Sequence, residues 1–151
     1  MGFDIEGYER LILDFEDRMI RHAAVADSRL DESTWTLKEM VGHLIDSASN
    51  NHQRFVRLQL SESLSFPGYD AEEWIKKSAA ASLDYTVLVT LWKNYNLFLL
   101  HLIHNMDEDA LDHYWEIHNE RKSLKFLVED YFAHLEWHRS LFDERIRELG
   151  Q

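Results

Sequence analysis

His134 and His138 stand four residues apart in the run Glu129 to Asp143, EDYFAHLEWHRSLFD. In a helix that spacing stacks both imidazoles on one face, a turn apart, where they can share one partner. Leu124, Leu127, Tyr131, His134, Leu135, His138, Leu141, Phe142 and Ile146 fall on one stripe, so both rings interrupt a face expected to bury itself. A buried imidazole needs a hydrogen-bond partner or a metal, and one ion would satisfy two rings at once.

Zinc, nickel and ferrous iron accept neutral imidazole, with manganese a more distant option. A catalytic ion typically has three protein ligands and an open position for water or substrate. A third ligand must therefore come from another helix. His43 is the first candidate, because it lies near the start of a helix that can face the last one across a bundle core, and His22, on the apolar face of the first helix, is the fallback. Asp46, one turn beyond His43, is expected either to orient an imidazole or to face water; Asn50 belongs to the same polar strip as Ser47 and Arg54 and could position a substrate or ligand. Tyr131, one turn before His134, would donate a hydrogen bond or pack.

The other histidines offer less. His101 and His104 are also a turn apart, but they align with Lys93, Asn94 and Leu97 on the flank of an apolar arc and read as surface groups. His113 and His118 fall in a polar stretch read as loop. No His-Glu-x-x-His run is present, no Glu stands three residues before any His, and neither a Gly-rich phosphate loop nor a Gly-x-Ser-x-Gly elbow occurs. The chain has no cysteine, so thiolate nucleophiles, disulfides and cysteine zinc knuckles are excluded and any metal is held by nitrogen and oxygen donors.

The elements that must position these residues are helices. At 151 residues and 45% hydrophobic content the chain suits one domain, residues 1–151, with one core. One Pro and five Gly leave long uninterrupted segments, which argues for an all-α bundle. The spacing predicts helices over residues 5–26, from Thr36 to about Leu60, over 84–106, and from a Ser123 cap to about Leu149 before Gly150. Thr36 with Glu39 forms a capping box, and Trp35 is placed to staple against Met40. The third helix is expected to bury Leu88, Leu91, Trp92, Tyr95, Phe98, Leu99, Leu102 and Ile103.

Residues 61–83 form an unusually long connection containing the only Pro and a short helix opened by Asp70. That length suits a crossover that leaves helices two and three parallel, or a lid in which Tyr69 and Trp74 cover a site. Residues 107–122 read as a turn of helix followed by loop.

A formal net charge of -12 with no basic stripe excludes nucleic acid and anionic membrane surfaces as natural partners. The N-terminal residues are too heavily charged for a signal peptide, and no apolar run approaches the roughly 18–20 residues of a membrane span. A cytoplasmic protein is expected.

Three stretches together resemble the DinB/YfiT-like family. They are Trp35 to Glu39 leading into His43-Leu44-Ile45-Asp46-Ser47, Pro67-Gly68-Tyr69-Asp70 through Trp74, and Tyr131-x-x-His134-x-x-x-His138. The resemblance implies a four-helix bundle threaded up-down-down-up with a long connection between helices two and three. It implies that His43, His134 and His138 bind one divalent metal, usually zinc or nickel. It further implies transfer of a low-molecular-weight thiol such as bacillithiol onto small electrophiles, or metal-dependent hydrolysis, the nucleophile being a thiol or water activated at the metal. Leu135, Glu136, Trp137 and Arg139 to Phe142 differ from the surroundings usual in close relatives, so the substrate is not carried over. A third expectation is a non-catalytic metal-binding or stress-response bundle that forms a homodimer through an apolar helix face.

Overall fold

The computed structural model describes residues 2–151. Helix α1 covers Ile5–Arg21, α2 Leu37–Leu60, α3 Ala71–Ser78, α4 Tyr85–His104 and α5 Leu124–Glu148. Four of them are the long helices expected from periodicity, and α3 is the short one opened by Asp70, whose carboxylate accepts from Glu73 N at 3.0 Å. The α2 start is fixed by the reciprocal box: Thr36 Oγ1 accepts from Glu39 N at 3.1 Å while Glu39 Oε1 accepts from Thr36 N at 2.9 Å. Ser123 caps α5 through Phe126 N.

Helix α2 is the hub, packing on α3, α4 and α5. The ends that meet are held by specific bonds. Tyr85 at the start of α4 donates to Met19 O near the end of α1, and Lys38 Nζ at the start of α2 donates to Ala81 O just before α4. At the other pole, Gln59 accepts from Asp107 N beyond α4. Arg139 pairs with Asp14 at 2.7 Å and Arg18 with Asp143, which ties α5 along α1. Phe15, Trp92 and Phe142 meet edge to face in the centre, with centroids 5.2 and 5.4 Å apart.

Gly42 lets the 61–83 connection press onto α2, since a Cβ there would lie 2.7 Å from Ala80 Cβ. Among the described residues no helix is long and apolar enough to cross a membrane.

Three expectations are corrected. Residues 107–122 are not loop: β2 (Tyr114–Ile117) and β3 (Glu120–Ser123) form a hairpin, and β1 (Ser63–Ser65) joins β2 in parallel. His118 and Asn119 make its turn with φ of 49° and 63°, the twist that suits a two-residue hairpin, although no glycine advertises it. The α4 arc is rotated, so that Leu91 and Phe98 are about half exposed while Val89, Asn96 and Leu100 are buried. The α5 stripe is rotated as well: Val128, Tyr131, Phe132, Leu135, Phe142 and Ile146 fill the core, while the His134 side chain is 59% exposed and His138 is half-buried. The two histidines edge the core instead of interrupting it.

Candidate metal centre

His43 comes from the second turn of α2, directly after Gly42, and His134 and His138 come from the middle of α5. Packing of α2 on α5 brings the rings of His43 and His138 to a centroid separation of 4.9 Å, and His134 lies 5.9 Å from His138. Three imidazoles on one tetrahedral ion, each nitrogen about 2.1 Å from it, place ring centroids roughly 5 Å apart. The observed separations bracket that value. His43 Nδ1 is buried and has no hydrogen-bond partner, which is the condition of a ligand atom awaiting a Lewis acid.

Burial lowers the pKa of both inner rings. His138 is pushed down to about 4, first by desolvation and then by the neighbouring His43 and His134. His43 is lowered by desolvation and by His134, with the Glu72 carboxylate opposing. Both are therefore neutral near pH 7, the form that donates a lone pair to a metal. His134 instead turns toward Asp130, with Nδ1 3.7 Å from Oδ2. Among the described residues no three donors already converge as a finished ligand set. His134, being exposed, is the ring with freedom to turn inward. The residues present fit a divalent ion.

Trp35 stacks at 5.0 Å on His43 and Trp137 at 5.0 Å on His138, so indoles shield the inner rings. A cavity of about 400 Å³ opens beside them, walled by Trp35, Met40 and Leu141, with His43 and His138 at its inner end and Glu72, Glu144, Arg145 and Glu148 around it. A larger groove along α1 and α5 contains no imidazole.

Asp46 and Asn50 do not face water. Both are buried, Asn50 donating to Asp46 O at 2.9 Å, and Asp46 Oδ2 has no partner. Desolvation pushes the Asp46 carboxyl up to about 6, with the Ser78 hydroxyl opposing. Arg54 completes this strip, stacked 4.1 Å over the Trp115 ring with its Nε unpartnered. Tyr69 folds over the strip from the 61–83 connection. Its hydroxyl is raised by burial, lowered by Ser47, raised by the Asp46 charge and lowered by Arg54. Tyr131 packs in the core and donates to Asn96 Oδ1 at 2.6 Å, so it is structural.

His22 gives its Nδ1–H to Arg18 O, His113 ties the hairpin to Leu58 O, and His101 and His104 lie exposed at the end of α4. Sequence reasoning missed the Trp35–His43 stack and the burial of Arg54. Trp35 was legible as a helix-entry residue, yet the staple on Met40 gave no sign that the indole would turn to the imidazole.

No protein-family model matches the chain. A curated protein of Oceanobacillus iheyensis named "Putative metal-dependent hydrolase OB0413" is 25% identical over 107 residues, 71% of this chain. Those residues span 60% of that relative's length. YfiT from Bacillus subtilis, described as "a probable metal-dependent hydrolase with an unusual four-helix bundle topology", superposes with a TM-score of 0.81 over 97% of this chain and 87% of its own, at 18% identity. The fold is a YfiT-type four-helix bundle with a small added sheet. The chain thus resembles the YfiT/DinB-like family both in structure and, distantly, in sequence.

Proposed function

We propose that this protein is a metal-dependent hydrolase of small molecules whose one divalent ion, zinc or nickel, is held by His43, His134 and His138. The observation that carries the proposal is the meeting of His43 and His138 at 4.9 Å beside the 400 Å³ cavity, with His43 Nδ1 buried and unpartnered. The names borne by the Oceanobacillus relative and by YfiT support the same class. A bundle threaded up-down-down-up is part of the proposal. It is supported by the joined starts of α2 and α4 and by the ties of α5 along α1.

A divalent ion at these imidazoles supplies a Lewis acid that brings a water or a thiol to its nucleophilic form near neutral pH. The protein's own groups do the rest. His43 and His138 stay neutral because burial disfavours their protonated forms. Trp35 and Trp137 cover the rings and reduce access of bulk water. Glu72, whose charge reaches His43 and whose Oε2 accepts from Trp35 Nε1 at 3.2 Å, is placed to take a proton from the nucleophile. Met40 and Leu141 give the substrate an apolar seat.

Thiol S-transfer at the same centre is the second reading, favoured by that apolar wall, which suits an electrophile carrying a hydrocarbon body. The two are separated by assaying 4-nitrophenyl ester hydrolysis and thiol conjugation to a chromogenic electrophile, each with added zinc and with chelator. Hydrolysis that chelator removes supports the first reading. Chelator-sensitive conjugation alone supports the second, and chelator-insensitive behaviour in both overturns the metal-dependent enzyme.

A further inference from the structure

The charges on the cavity wall say which substrates it admits. Near the histidines the wall is apolar and aromatic, made by Trp35, Met40 and Leu141. Further along α5 come Glu144, Arg145 and Glu148. The one cation is already engaged, because Arg145 donates to the Trp35 carbonyl and pairs with Glu148 Oε1 at 3.3 Å. Glu144 has no such partner, and Glu72 keeps its full charge while accepting from an uncharged indole. The inner imidazoles are neutral near pH 7 and do not offset these carboxylates. The cavity therefore changes character along its length, from reactive centre through hydrocarbon wall to uncompensated carboxylate.

The spacing has a length as well as a sign. Six residues separate His138 from Glu144, which is a rise of about 9 Å along a helix. A chain of five or six methylenes covers that span.

From the geometry we infer that the cavity takes substrates with a protonated amine about 9 Å from the reacting group, joined by an apolar segment, with Glu144 as the ammonium anchor. Carboxylate-tailed molecules of the same length are repelled. This inference rests on the placement of the reacting centre at His43 and His138 in the proposed function, and it goes beyond that reading by naming the substrate class.

Titrations of hexylammonium, hexanol and hexanoate into chelator-treated protein at pH 7.5, followed by tryptophan fluorescence with Trp35 as reporter, test it. Hexylammonium should bind at least fivefold tighter than hexanol, with hexanoate weakest. Glu144→Gln should weaken hexylammonium by about threefold to fivefold, the order expected for one partly screened ion pair. Glu144→Lys should invert the preference toward hexanoate. Glu9→Gln, which makes the same charge change on the exposed face of α1, should leave all three affinities unchanged and so separates the local anchor from the general attraction of a chain of net charge -12. Equal binding of hexylammonium and hexanol, an unaltered affinity in Glu144→Gln, or no binding of any probe overturns the inference. Zinc titration of the same preparations keeps the two claims apart. Ammonium selectivity without zinc binding sinks the metal reading and leaves the pocket assignment standing, whereas zinc binding without ammonium selectivity does the reverse.

Discussion

Two helices of this bundle each carry a pair of histidines one turn apart, and only one pair is built into a site. His101 and His104 lie at the C-terminal end of α4, exposed, with no second helix presenting a ring to them. His134 and His138 lie mid-way along α5, where α2 packs close and delivers His43 to 4.9 Å from His138. Spacing within a helix is thus the lesser part of a metal site. A third donor from another element, partial burial that keeps the rings neutral, and an adjoining cavity are what separate the two pairs.

The largest contrast should appear on mutation. His138→Ala is expected to lower zinc affinity at least a hundredfold, while His101→Ala with His104→Ala changes it less than twofold; calorimetric titration measures both. Equal losses in the two variants would erase the distinction. The frame beneath the site should behave oppositely. Phe142→Ala removes a fully buried ring from the Phe15 and Trp92 cluster and should cost about 3–5 kcal/mol in urea unfolding, whereas His138→Ala, at a half-buried position, should cost under about 1 kcal/mol without metal.

Asp46 sharpens the comparison through pH. Its folded pKa of about 6 lies above its ordinary value near 4, so the folded state holds a proton between those values that the unfolded state has lost. Its contribution to stability is therefore most favourable below about pH 4 and is lost as pH rises through 6. Asp46→Asn should stabilise the metal-free protein by about 1–2 kcal/mol at pH 7.5 and by almost nothing at pH 4, as thermal melts at the two values would reveal. A pH-independent effect would mean that the buried carboxyl titrates normally. The smallest of these effects is expected at the helix entry that carries Trp35 toward His43: Thr36→Ala removes the reciprocal cap and should cost about 1 kcal/mol.

The long helices and their caps were legible because each is a local pattern: Thr36 with Glu39, Asp70 before Glu73, Ser123 before an apolar repeat. The hairpin was not, because Tyr114 to Ser123 is short, polar and turns on His118-Asn119, and its pairing with Ser63–Ser65 is a contact between residues about fifty apart. Within the site, the His134-x-x-x-His138 spacing and His43 stood out as residue types. Periodicity nevertheless put the α5 rings on the buried stripe, since helical phase is uncertain by the width of one side chain and His134 and Leu135 are adjacent. Asp46 and Asn50 read as a solvated strip, and only the folding of Tyr69 and Ser78 over α2 turned them inward.

Divalent metal content of protein purified without a histidine tag, measured for the wild type and for His138→Ala after equilibration with zinc and exhaustive dialysis, bears most directly on the three-histidine centre. One ion per chain in the wild type and none in the variant is expected; an empty wild type, or a variant that retains the full complement, would contradict it.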